Sequence, residues 1–138
     1  MTSVPEPLLP GSAIGLIGDG QLAQMMVLAG HSIGSCFIVL DPTPNCPAEL
    51  AGAKHITAAY DDFNALVELA DVCNVVSSEI KNVNADSVSW LEERVDLTQG
   101  SELLRISQNR LREKIFLKFI LKKRKYFILE LRSRMSSW

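Results

Sequence analysis

The segment Ala13–Met26 joins an apolar, strand-like run to a glycine turn and an amphipathic helical pattern. The turn contains Gly18 and Gly20, which lack a Cβ and so let the backbone turn sharply and approach a ligand. The helical pattern starts near Gln21, and the N–H groups that open a helix favour anions. Such strand–turn–helix units receive nucleotide-like ligands beyond the carboxyl ends of parallel strands. The segment therefore predicts a parallel α/β fold with a ligand-binding edge.

The turn also contains a short form of the dinucleotide fingerprint. Gly18 and Gly20 are followed by Ala23, and Asp41 ends the next apolar run about 20 residues on, where a ribose-binding acid would lie. Asp19 argues against this interpretation, because its charge would lie inside the cradle for the pyrophosphate. A stand-alone NAD-binding module and a glycine turn without a dinucleotide are both alternatives.

The rest of the chain alternates between two hydrophobic periods. Strand-like runs lie near 13–18, 35–40, 54–58 and 73–78, helical patterns lie near 20–31, 61–70 and 84–94, and a short extended piece at 95–98 precedes another helical run from Ser101. This alternation predicts an open, parallel, Rossmann-like sheet with helices on both faces. Asp61 and Asp62 form a predicted N-cap region, and Asp86 heads the third helical pattern.

The spacing of the three cysteines and two histidines indicates neither disulfide bonds nor a metal site. Cys36 and Cys73 lie in apolar runs and are predicted to be buried, whereas Cys46 lies in a Pro-rich loop. With no C-x-x-C spacing, we expect reduced structural thiols. His31 and His55 have no clustered partner ligands in the sequence, so no metal site is predicted.

Residues 1–12 hold three prolines and no basic residue, which predicts a flexible leader instead of a signal peptide. No apolar run approaches the roughly 20 residues of a membrane span. We therefore expect one cytoplasmic domain.

Polar segments follow three of the predicted strands. Glu79 comes straight after an apolar run, so we expect it at a strand tip, facing Gln21 across the crevice. A carboxylate there could hold an amine or hydroxyl of a ligand. A solvated loop acid, or a cap for the helix at 84, is the alternative.

Five collinear motifs together resemble one family. They are Gly18-Asp19-Gly20-Gln21-Leu22, Asp41-Pro42-Thr43-Pro44-Asn45-Cys46-Pro47-Ala48, Asp61-Asp62, Glu79-Ile80-Lys81-Asn82-Val83 and Gln108-Asn109-Arg110-Leu111-Arg112-Glu113-Lys114-Ile115-Phe116-Leu117. The chain resembles, over 13–117, the 5-(carboxyamino)imidazole ribonucleotide synthetases, ATP-grasp enzymes of purine biosynthesis. The resemblance identifies 13–117 as a pre-ATP-grasp domain.

The resemblance implies roles for five residues. Gly20, Gln21, Leu22 and Glu79 match positions at the pocket for aminoimidazole ribonucleotide, and Arg110 matches a residue that reaches the ATP phosphates. The family uses ATP and Mg²⁺ to join bicarbonate to the amine of that ribonucleotide. For this chain the resemblance implies no catalytic or metal-binding residue, weak ribonucleotide binding and no tightly held cofactor. A homodimer is also expected, with no nucleic-acid or membrane partner.

Some positions depart from the family pattern. The chain has Asp19, Ala23 and Gln24 where the family has Gly or Asn, Gly and Arg, and it has Ser78 and Lys81 where the family has an aromatic residue and an acid. Each change is expected to weaken binding of the ribonucleotide.

The charge balance reverses after Leu117. Seven Lys/Arg stand against 15 Asp/Glu up to that residue, whereas 118–138 holds seven Lys/Arg and only Glu130. We expect this basic tail to lie outside the family pattern, as in an out-of-frame or degraded gene, with the chain ending before an ATP-grasp domain and inactive alone. A helix added to the domain, disorder, and a basic segment for membranes or nucleic acid are alternatives for the tail.

Two further functional alternatives remain from the sequence. An ATP-dependent glycinamide ribonucleotide transformylase has the same domain order, but it has Glu-Leu after its glycine turn, so Gln21 favours the synthetase. A non-catalytic interaction protein that keeps the fold is the other.

Overall fold

The computed structural model describes residues 7–18, 20–78 and 83–135, with side chains described as far as Arg124. The chain divides into two compact units, one up to Ser101 and one from Glu102 onward. The domain boundaries predicted at 12/13 and 117/118 stay predictions.

The first unit contains a parallel sheet of five strands in the order β3-β2-β1-β4-β5. The strands are β1 (Ala13–Ile17), β2 (Cys36–Asp41), β3 (Lys54–Thr57), β4 (Val75–Ser78) and β5 (Asp96–Leu97). β1 is central and pairs in parallel with β2 on one side and β4 on the other. The predicted parallel α/β fold is confirmed, and all the strands end at the same edge of the sheet.

Helices follow the strands in the predicted alternation. They are α1 (Gln21–His31), α2 (Pro47–Leu50), α3 (Phe63–Val72), α4 (Ala85–Glu92), α5 (Ser101–Ser107) and α6 (Arg110–Met135). The sequence did not predict α2, because its Pro-rich surroundings are typical of a loop. Pro47 is nevertheless compatible with a helix, because it occupies the first helical position, where its missing N–H costs nothing.

Both faces of the sheet are covered by helices, as predicted. On one face, buried Leu16 and Val39 cluster with Val27 of α1 and Ala48 of α2. On the other face, Gly15 leaves room for α3, since a Cβ on it would lie only 3.2 Å from Leu69 Cδ1.

Short polar side chains begin several helices. Asp62 Oδ1 accepts a hydrogen bond from Ala65 N at 3.0 Å, which confirms the predicted N-cap of α3. Asn84 caps α4 by accepting from the N–H of Asp86, so Asp86 lies in the first turn instead of heading the helix. Asn109 Oδ1 accepts from two amides of α6, and the helical run predicted from Ser101 is therefore two helices, α5 and α6.

The prediction that Cys36 is buried is wrong. Cys36 is exposed, whereas Cys46 and Cys73 are buried. It is the first residue of β2 and lines an open cavity of about 510 Å³ on the α3 side of the sheet, with Lys54 and Glu68 nearby. The first residue of a strand can thus be exposed to solvent even when the strand itself is apolar.

The basic tail continues α6 as far as Met135, which agrees with the helical alternative for this segment. Within the described residues, no helix is both long and apolar enough to cross a membrane.

Candidate ligand-binding edge of the sheet

The glycine turn lies beside the carboxyl end of β2. Gly18 has a φ of 100°, a conformation that side chains with a Cβ rarely adopt. Its N–H donates to the carbonyl oxygen of Leu40 at 3.0 Å. The turn after β1 is thereby fixed against the strand that ends in Asp41, and the two loops lie at one edge.

The start of α1 presents its amides at this edge. Gly20 is the N-cap and offers no side-chain acceptor, and the first turn contains no acidic residue. Ala23 is buried, whereas Gln21 and Leu22 are exposed, Leu22 by 56%. The N-terminus of α1, which carries a partial positive charge, therefore presents the amide side chain of Gln21 and the apolar side chain of Leu22.

Both carboxylate oxygens of Asp41 accept hydrogen bonds from within the protein. Its side chain is buried, and its Oδ1 accepts from Thr43 N at 2.8 Å while its Oδ2 accepts from the Tyr60 hydroxyl at 2.5 Å. Both oxygens thus hold the segments after β2 and β3 together. This arrangement counts against the NAD-binding alternative, in which Asp41 would face a ribose.

The end of β4 is ordered by a neighbouring loop. Ser78 N donates to Gln99 Oε1 at 2.9 Å, which joins the ends of β4 and β5. Glu79 and Lys81 lie outside the described residues, as does Asp19. The predicted meeting of Gln21 and Glu79 therefore stays a prediction.

Arg110, the predicted phosphate-binding residue, is exposed and begins α6. It belongs to the second compact unit. Its predicted role also stays a prediction.

Two ionisable side chains outside this edge have shifted pKa values. Burial raises the pKa of the Cys73 thiol to about 11, which keeps it protonated and unreactive near neutral pH. Two hydrogen bonds from Ser101, one from its hydroxyl and one from its backbone N–H, lower the pKa of Glu92. Both shifts have structural causes and neither marks a reactive group.

Sequence reasoning missed one cluster of side chains. Cys46, Glu49 and His55 bring one sulfur, one oxygen and one nitrogen atom within 4.8 Å of one another. The structure therefore brings to His55 two potential ligands that the sequence did not indicate, and the absence of a metal site stays a prediction. The available signal was the spacing of Cys46 and Glu49, which places both on one side of a helix, but it required α2 to be recognised first.

The family model "Ribonucleotide synthetase preATP-grasp domain" matches residues 12–108 of this chain. The chain belongs to this family. The resemblance found from the five motifs is therefore confirmed, and with it the pre-ATP-grasp type of the sheet.

Three relatives illustrate the similarity. N5-carboxyaminoimidazole ribonucleotide synthase of Bacillus subtilis is 39% identical over 107 residues, which are 78% of this chain and 28% of the relative. The crystal structure of the Staphylococcus aureus N5-carboxyaminoimidazole synthetase complexed with ADP is 38% identical with a TM-score of 0.76, over 80% of this chain and 30% of that one. The Aspergillus clavatus enzyme, in complex with ADP and 5-aminoimidazole ribonucleotide, is 28% identical with a TM-score of 0.71, over 80% and 30% of the two chains.

The chain thus spans less than a third of the length of the relatives it matches. The relatives have the name of the synthetase that the motifs indicated, and this chain corresponds to their N-terminal part. A role for this chain in the complete reaction of these relatives is therefore a proposal.

Proposed function

We propose that this chain supplies the aminoimidazole ribonucleotide side of a carboxyaminoimidazole ribonucleotide synthetase. The observation that carries the proposal is the family match over 12–108. In the complete reaction, an ATP-dependent ligase joins bicarbonate to the amine of the ribonucleotide. The part assigned to this chain is to bind and orient that ribonucleotide.

The carboxyl edge of the sheet supports this assignment. The turn at Gly18 brings the N-terminus of α1 next to the loop that Asp41 stabilises. Helix-terminal amides attract the anionic part of a nucleotide, and loops held by internal hydrogen bonds need little reordering on binding.

Each proposed residue has a distinct chemical role. Gly20 permits close approach to the backbone, the exposed Gln21 offers an amide, and the exposed Leu22 offers an apolar contact for the ring. Glu79 offers a carboxylate to a ribose hydroxyl or to the amine. Arg110 is proposed to contact ATP phosphates.

The described side chains do not fit a magnesium site. Mg²⁺ takes oxygen ligands in near-octahedral geometry. The group of potential ligands found in the part of the chain with described side chains combines sulfur, nitrogen and oxygen instead. These residues are therefore not proposed to hold the Mg²⁺ of the complete reaction.

Calorimetric titration of the 138-residue polypeptide with aminoimidazole ribonucleotide tests the proposal. Parallel titrations use glycinamide ribonucleotide and NAD⁺. We expect heat only with aminoimidazole ribonucleotide. We expect Glu79→Gln and Gln21→Ala to weaken binding about 10-fold or more each, the equivalent of one hydrogen bond to a charged group.

Glu68→Gln is the matched control, because it removes an exposed carboxylate on α3 and should leave the Kd unchanged. Binding of NAD⁺ without binding of the ribonucleotide would contradict the proposal and favour the dinucleotide alternative. Ribonucleotide binding that tolerates both site substitutions would contradict the assigned residues.

A further inference from the structure

We propose that Cys46, Glu49 and His55 bind a zinc-type divalent transition-metal ion that fastens α2 to β3. Their sulfur, oxygen and nitrogen donors lie within 4.8 Å of one another. The proposal concerns a structural site beside the ligand-binding edge and does not depend on the function proposed above.

Local structure brings the three side chains together from two elements. Cys46 is the N-cap of α2, and Glu49 lies one turn further along the same short helix. His55 lies on β3 and pairs in register with Val39. Val39 and Cys46 belong to one buried cluster, so α2 and this face of β3 are packed against the same core.

The His55 ring has the orientation of a metal ligand. Its Nε2 lies 2.9 Å from the carbonyl oxygen of Asp41. Because a carbonyl oxygen only accepts, Nε2 carries the proton, and in the neutral ring Nδ1 offers a lone pair to the cluster. A histidine that binds a metal through one nitrogen commonly donates its other N–H to a backbone carbonyl in this way.

The contact between His55 and Glu49 places two potential ligand atoms side by side. Nδ1 lies 2.9 Å from Glu49 Oε2. A metal ion bound by these two atoms would also be within reach of Cys46, because the sulfur, oxygen and nitrogen donors all lie within 4.8 Å of one another.

The donor set is one that zinc prefers. Zinc takes thiolate, imidazole and carboxylate ligands in tetrahedral geometry, and its bond lengths imply donor separations of roughly 3.4–3.6 Å. Donors already within 4.8 Å need only small side-chain movements to reach that spacing. The Thr57 hydroxyl, 3.3 Å from Nδ1, or a water molecule is the candidate for the fourth position.

The site is buried on the side of Cys46 and His55 and open to solvent on the side of Glu49. Cys46 is fully buried, and the His55 side chain is only 4% exposed. Glu49 keeps 39% of its side chain exposed, so an ion can enter past it from solvent. Since His55 also holds the backbone of Asp41, a bound metal would stiffen the loop after β2.

Titration of the full 138-residue polypeptide with Co²⁺ tests the site, because a thiolate bound to cobalt gives a charge-transfer band and a tetrahedral ion gives strong visible bands. We expect one equivalent to saturate these bands in the unchanged chain. The exposed Cys36 provides the matched control, and Cys36→Ser should leave the spectrum unchanged. Cys46→Ser should abolish the thiolate band. His55→Gln should lower the affinity by more than the roughly 10–100-fold that loss of an outer-shell partner costs.

A thermal melt with Zn²⁺ gives an independent measurement. Zinc at about 100-fold above its Kd should raise the Tm by on the order of 10 °C in the unchanged chain and in Cys36→Ser. If Cys46→Ser does not fold, Glu49→Gln serves in its place, because Glu49 is partly exposed, and it should lose most of this rise.

Three outcomes would overturn the proposal. The first is the absence of cobalt bands at a millimolar excess, which would leave the contact between His55 and Glu49 as a hydrogen bond without a metal ion. The second is a thiolate band that survives Cys46→Ser or disappears with Cys36→Ser. The third is a zinc-dependent Tm rise that Glu49→Gln and His55→Gln leave intact.

Discussion

Gly30, in the last turn of α1, lies directly over the ring of Phe37. A Cβ at Gly30 would lie 2.3 Å from both Cε2 and Cζ of that ring. The Phe37 side chain is buried and stacks on His31, with ring centroids 5.9 Å apart, so it has little room to move. The helix accepts a glycine here, at a cost of about 1 kcal/mol in propensity, because the space is taken.

We therefore expect Gly30→Ala to destabilise the fold, although alanine is the better helix former. The clash should outweigh the propensity gain and cost about 1–3 kcal/mol, as overpacked cores do. Urea denaturation followed by circular dichroism measures it. In a Phe37→Leu background the same substitution should cost less, and an equal cost in both backgrounds would contradict the proposed contact.

The cysteines should differ in reactivity according to their burial. Cys36 is exposed and should react with a thiol reagent in the native state, whereas Cys46 and Cys73 should react only after unfolding. Mass spectrometry of labelled peptides distinguishes them. Native labelling of Cys73 as fast as that of Cys36 near neutral pH would contradict the expectation.

The raised pKa of Cys73 also gives a sign for stability at high pH. Its folded pKa of about 11 exceeds the reference value of 9.0, so the folded state holds the thiol proton more tightly. The contribution to stability is therefore complete below pH 9.0 and declines as the pH rises towards 11. Cys73→Ala should flatten the fall of the denaturation midpoint in that range, and an identical fall in both chains would exclude Cys73 as its source.

At the scale of elements, local signals were predictable and contacts between elements were not. Asp62 was found because an N-cap acts only within its own turn. The cluster around His55 was missed because it needs both the short helix α2 and the register of β3 with β2. The exposure of Cys36 is not predictable in this way, because a hydrophobic run indicates a strand but not which of its residues a helix covers.

The cap of α3 gives a direct test at this scale. Asp62→Ala removes the acceptor for Ala65 N and should cost about 0.5–2 kcal/mol. The neighbouring Asp61 is exposed, and Asp61→Ala should change stability by less than about 0.5 kcal/mol. Chemical denaturation of both variants measures the difference, and equal effects would show that the cap does not stabilise α3.

At the scale of the whole molecule, the parallel sheet and the common edge at which its strands end could be predicted, because both depend on strand order and the rule of parallel ends. The full set of residues that form the pocket could not be established. Its proposed residues come from separate parts of the chain, and Glu79 lies outside the described residues while Arg110 belongs to the second unit. Hydrophobic periodicity carries no information on contacts between segments that are distant in the sequence.

We expect the 138-residue polypeptide, assayed alone, to bind aminoimidazole ribonucleotide without hydrolysing ATP in a bicarbonate-dependent reaction. It spans 28% of the Bacillus subtilis relative, and its turn at Gly18 and Gly20 lacks the Lys and Ser/Thr of a phosphate loop. Phosphoryl transfer depends on neutralising charge on the phosphates, which helix-terminal amides alone do not provide. Release of inorganic phosphate is the measurement, with the complete Staphylococcus aureus synthetase as positive control. Phosphate release that requires both bicarbonate and the ribonucleotide would show that these residues suffice for catalysis.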